Sequence, residues 1–143
     1  MSRTREQVIW DFVQEWMRKA ESDLLAAEYL LTLGQEDYFT AAFHAQQAAE
    51  KFLKAFLVRH QIPFGKTHDI KELLELVAKP AAPLQRQLAS AGMLTPFGVE
   101  FRYPGWEVAD LKTAQQAVEE ARRLRATVLE HLQDYLSGGR PSK

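Results

Sequence analysis

Apolar positions recur along the chain in steps of three and four. The first run is Trp10, Val13, Trp16, Met17, Ala20, Leu24, Ala27 and Leu31, a spacing that gathers side chains on one face of a helix. Gly34 is its expected stop. A second helix is predicted from about Tyr38 through Phe39, Phe43, Ala49, Leu53, Phe56 and Leu57, ending at Pro63 and Gly65. Its alanines, Ala41, Ala42, Ala45, Ala48, Ala49 and Ala55, widen the apolar or small arc past half the circumference. Neighbouring helices can therefore approach it on several sides, and it is the predicted central helix.

Thr67 is the expected N-cap of a third helix, with Asp69 in its first turn and Ile70, Leu73, Leu74 and Val77 as its buried stripe. Pro80 and Pro83 interrupt the pattern, and a short continuation over Leu84 to Ala91 ends at Gly92. Met93 to Val108 then reads as a long connection containing Pro96, Gly98, Pro104 and Gly105. Its aromatics, Phe97, Phe101, Tyr103 and Trp106, predict that it packs down on the helices. The last helix is predicted from about Ala109 to Leu136, with Leu111, Ala114, Val118, Ala121, Val128, Leu132 and Tyr135 inward and Glu119, Glu120, Arg122 and Arg123 outward. No strand-like alternation is sustained. The expectation is an all-α, antiparallel four- to five-helix up-and-down bundle, one domain over residues 1–137, with 138–143 as a flexible tail.

Composition narrows the function classes. Lys plus Arg number 18 against 19 Asp plus Glu, so no global positive field draws the chain onto nucleic acid. DNA is not a predicted partner, and any nucleotide or RNA contact must come from a local cluster. The absence of cysteine removes disulfides, thiolate metal sites and cysteine nucleophiles. No apolar run is long enough for a signal sequence or a membrane span, which makes the cytoplasm the expected location. Glycine-rich phosphate loops, serine elbows and dinucleotide fingerprints are missing, so the usual kinase, hydrolase and dehydrogenase readings have no motif behind them. His60 and His68 stand eight apart across a Pro and Gly turn, a poor zinc signal; no metal or cofactor is expected.

The chemistry concentrates on the second helix. His44, Gln47, Lys51 and Lys54 follow one another at intervals of three, four and three, and so form one polar stripe on an otherwise apolar rod. Such a stripe could hold a phosphate or line a polar subunit interface. Alternatively it is a solvated face, with Glu50 pairing Lys54 one turn on. Arg102 and Tyr103, in the long connection, could grip a phosphate and stack on a base, or Tyr103 and Trp106 could pin the loop while Arg102 pairs with Glu50 or Glu100. His68, at a helix start, is either part of an anion site or part of the cap.

Gln46-Gln47-Ala48-Ala49-Glu50-Lys51-Phe52-Leu53-Lys54-Ala55, then Thr67-His68-Asp69-Ile70, then Phe101-Arg102-Tyr103-Pro104, together resemble the HEPN family. Trp16, Ala20, Asp23, Leu24 and Ala27 match the family's opening helix, and the resemblance runs from about Trp10 to Leu136. It implies a helical bundle, usually a homodimer, associated with nucleotides or RNA and often paired with a minimal nucleotidyltransferase in a toxin–antitoxin arrangement. Many members are metal-independent ribonucleases with an Arg followed, after four to six residues, by a His. Arg102 has Glu107, Val108 and Ala109 at those distances and no histidine. The spacing does occur as Arg125 and His131, but six positions on a regular helix turn two side chains about 120° apart. His131 also shares a stripe with Leu124, Val128 and Tyr135, which suits a packed or interfacial histidine. Three readings follow: a nucleotide- or partner-binding homodimer, a ribonuclease using Arg125 and His131 across a dimer, and a structural interaction domain.

Overall fold

A computed structural model of the chain describes residues 2–98 and 109–143. Among the described residues the order is α1 (Arg5–Leu30), a 3-10 turn (Gln35–Asp37), α2 (Tyr38–Arg59), α3 (Ile70–Val77), α4 (Ala82–Gln87), a 3-10 stretch (Ala89–Gly98) and α5 (Leu111–Ser137), with no strand. No helix among them is long and apolar enough to cross a membrane. The all-α bundle expected from periodicity is the observed architecture.

Local chemistry explains where each helix starts and stops. Thr4 and Gln7 form a reciprocal capping box at the head of α1: the Thr4 hydroxyl accepts from the Gln7 N–H at 3.1 Å, and the Gln7 side chain accepts from the Thr4 N–H at 3.0 Å. α2 begins at Tyr38 as expected but ends at Arg59, well before Pro63. Gln61 turns into the left-handed region (φ 55°), and the Ile62 N–H reaches back to the Leu57 carbonyl at 2.9 Å. That closure satisfies the last carbonyls without any need for the proline.

Two expectations need correcting. Asp69, and not Thr67, caps α3: its carboxylate accepts from the Lys71 N–H at 2.9 Å, while the Thr67 hydroxyl accepts from the Asp69 N–H, before the helix begins. The predicted connection from Met93 is helical in its first part, because Ala89–Gly98 winds as 3-10 helix. The reason is a period of three: Leu88, Ala91 and Leu94 are fully buried and Phe97 packs against the same core. Side chains at i and i+3 eclipse in a 3-10 helix, so this run lays one edge on the bundle. The expected continuation over Leu84 to Ala91 is accordingly divided between α4 and this stretch. The packing expected of Phe101, Tyr103 and Trp106 lies outside the described residues.

α2 is the central rod, packing on α1, α3, α5 and the 3-10 stretch. Phe52, Leu53, Phe56 and Leu57 are fully buried, each worth about 1.5–3 kcal/mol of transfer free energy. α5 is capped by Asp110, whose carboxylate accepts from the Thr113 N–H at 2.7 Å. It turns Ala114, Ala117, Val118, Ala121, Leu124, Val128 and Leu132 inward. Leu111, expected inward, is exposed, since it is the first residue of the helix and precedes the first buried turn. After α5 the chain lies against α1: the Arg140 guanidinium donates to Asp11 at 2.9 and 3.1 Å, and the Pro141 carbonyl accepts from Gln7 at 3.0 Å.

Candidate functional site

The polar residues of α2 lie where it crosses α1. His44 and Lys51 are two turns apart on α2, and both reach Asp23 of α1: His44 Nδ1 is 2.9 Å from Oδ1, and Lys51 Nζ donates to Oδ2. Asp23 stands three residues after Ala20 and four before Ala27, both fully buried, so the inward stripe of α1 carries it to this position. Burial pushes the Asp23 carboxyl upward, but the hydrogen bonds from His44 and Lys51 outweigh it and leave the group below the ordinary carboxylate range.

One turn further along, the same pattern is repeated. Glu50 receives Lys54 Nζ at 3.3 Å on one oxygen and lies 2.6 Å from His68 Nδ1 on the other. Glu50 is 3% and Lys54 5% exposed. The Lys54 ammonium sits 5.3 Å from the Trp16 ring centroid and 5.5 Å from that of Phe64, so aromatic faces cover what the carboxylate does not. Gln46, fully buried, donates to the His68 carbonyl at 2.8 Å and accepts from the Gln47 amide at 2.6 Å. Gly98 closes this side, because a Cβ there would stand 3.0 Å from the Gln46 amide.

His44, Gln47, Lys51, Lys54 and His68 thus belong to one tract, but it is neither an open lysine edge nor a solvated face. Lys51 is held to α1, and Lys54 lies inside the bundle. The pairing of Glu50 with Lys54 is present, though in a buried setting. Sequence reasoning omitted Asp23, Gln46 and Glu50 from the site. The signal for Asp23 was an acid at core spacing on α1, directly readable from its distance to Ala20 and Ala27. Arg102 and Tyr103 lie outside the described residues.

Arg125 and His131 are not brought together within the chain. The Arg125 guanidinium donates to both Glu21 oxygens on α1, at 2.6 and 2.8 Å. His131, expected to be packed or interfacial, is exposed in this chain and lies 3.2 Å from the Gln87 amide oxygen of α4. The two side chains leave α5 toward different neighbours, as the angular separation on a helix requires. Among the described residues no group of three or more His, Asp or Glu is placed to hold a metal ion.

The fold and site define an all-α bundle with a partly buried polar tract along its central helix, tied to the first helix at Asp23 and to the segment before α3 at His68. A HEPN domain model matches residues 13–132, and the chain belongs to that family. Among solved structures it is similar to TT1696 from Thermus thermophilus, with 31% identity and a TM-score of 0.65, over 82% of this chain and 96% of that one. It is also similar to ST0689, described as an archaeal HEPN homologue, with 28% identity and a TM-score of 0.63, over 84% of this chain and 97% of that one. Comparison with curated proteins finds no match.

Proposed function

We propose that the protein is a HEPN-type binding module, acting as a homodimer, whose polar tract along α2 receives the phosphate of a nucleotide or RNA. A minimal nucleotidyltransferase is its proposed protein partner, in a pair of toxin–antitoxin type. The observation that carries this reading is the tract itself. Buried ion pairs return little net stability, because desolvation offsets their attraction. A chain of paired carboxylates, ammoniums and imidazoles through the crossing of two core helices is therefore better accounted for by binding than by folding. Arg102 and Tyr103 are proposed from sequence as further contacts, to phosphate and base.

The homodimer has support on the opposite side of α1. Leu25 is 69% and Tyr29 65% exposed, one turn apart. Beside them Glu28 and Glu21 pair with Arg122 and Arg125 of α5, which leaves the rim electrically balanced toward a second copy.

Calorimetric titration with ATP and GTP tests the nucleotide half. Saturable heat is expected for the wild type and strongly reduced heat for a His44→Ala, Lys51→Ala double variant; no heat at millimolar ligand would remove this half. The partner half requires a nucleotidyltransferase to copurify under native expression, and recovery of the protein alone counts against it.

A further inference from the structure

The charges of the tract cancel in a particular way. Two carboxylates, Asp23 and Glu50, are each shared by one ammonium and one imidazole: Asp23 by Lys51 and His44, Glu50 by Lys54 and His68. Both lysines are thereby neutralised, and Lys54 is also enclosed by Trp16 and Phe64. With neutral histidines the tract offers a phosphate no net attraction. The groups left to supply it are the imidazoles, which are 30% (His44) and 51% (His68) exposed at the side chain.

We infer that the phosphate-binding charge of this site is imidazolium: His44 and His68, held through Nδ1 by the partly buried Asp23 and the buried Glu50 respectively, take up a proton from solvent as phosphate binds and present Nε2–H to its oxygens. A carboxylate at Nδ1 fixes the orientation of the ring, and the same contact turns Nε2 away from the carboxylate. Neither Nε2 has a hydrogen-bond partner among the described residues.

The surroundings support the same assignment. His44 is faced by Asp23 from α1, by Lys51 from its own helix and by the Phe43 ring in a T-shaped contact, with centroids 5.3 Å apart. His68 is faced by Glu50 and, behind it, Lys54. The nearby acids are turned elsewhere: Asp69 accepts from the Lys71 N–H and the Thr95 hydroxyl, and Glu72 from the Thr67 hydroxyl. Their partners are neutral donors, so both acids keep a negative charge close to His68 in the chain, and attraction for an anion on this side must come from the imidazolium.

This inference rests on the proposed phosphate site, and one experiment separates the two. Histidine ring signals of the full chain are followed by NMR as a function of pH, with and without saturating ATP, and assigned from single His→Gln variants. The titration midpoints of His44 and His68 are expected to rise with ATP by about one pH unit, a tenfold preference of ligand for the charged ring, while those of His60 and His131 stay in place. ATP binding that shifts other signals but leaves the His44 and His68 midpoints unmoved would overturn the inference and keep the nucleotide reading. No ATP-dependent change anywhere would overturn both.

Discussion

At the scale of single residues, the decisive feature is that Lys51, Glu50 and Lys54 of α2 are each paired, and that Glu50 and Lys54 are enclosed. Glu50→Ala leaves the Lys54 ammonium between Trp16 and Phe64 with no counter-charge, and a loss of about 3–5 kcal/mol is expected. Lys54→Met leaves Glu50 its contact with the half-exposed His68 and puts an apolar chain between the rings, so its cost should be much smaller. Urea denaturation of the two variants checks the order; equal losses would show that Lys54 is not enclosed as described. Asp23 adds a pH dependence. Its folded pKa lies below the ordinary carboxylate value of 3.8, so its pairing stabilises the fold above that value, and this contribution is lost as pH falls through the folded pKa. The urea midpoint of Asp23→Asn should therefore fall below wild type at neutral pH, with the gap narrowing under strong acid. The letters of the tract were legible in the sequence as a spacing on one helix. Its pairing was not, because the carboxylate that organises His44 and Lys51 comes from a different helix, and no single-helix period reports a partner across a crossing.

Elements show where periodicity succeeds and where it misleads. The buried stripe of α3, Ile70, Leu73, Leu74 and Val77, follows directly from its spacing. The cap did not, since Thr67 and Asp69 are both good capping residues and only backbone geometry separates them. Asp69→Ala is expected to cost about 1 kcal/mol and Thr67→Ala less, read from thermal unfolding; the reverse order would restore Thr67 as the cap. The stretch after Ala91 escaped a helical template because the buried side chains Leu88, Ala91 and Leu94 step by three, while its proline and glycines read as loop. Gly98 has a specific reason to be glycine. Gly98→Ala would press on a Gln46 amide already tied to His68 and Gln47, and about 1–3 kcal/mol of destabilisation is expected from overpacking there. A Gly98→Ala protein as stable as wild type would show that the Gln46 amide yields freely.

For the whole molecule, an all-helical bundle with α2 at its centre was legible because long amphipathic stretches and an alanine-rich helix constrain packing strongly. What joins the helices chemically was less so: Arg125 to Glu21, Arg140 to Asp11 and Lys51 to Asp23 all link segments far apart in sequence. If the exposed Leu25 and Tyr29 face builds a homodimer, Leu25→Asp should sediment as a monomer with its helical signal intact; an unchanged oligomer would move the interface elsewhere. The account depends most on phosphate entering the polar tract along α2, between Asp23 of α1 and His68. A crystal structure of the protein with ATP tests that directly. The account predicts a phosphate oxygen within about 3 Å of Nε2 of His44 or His68, with Lys51 and Asp23 still in contact beside it. A nucleotide seated elsewhere, with both imidazoles as far from it as any surface side chain, would contradict it.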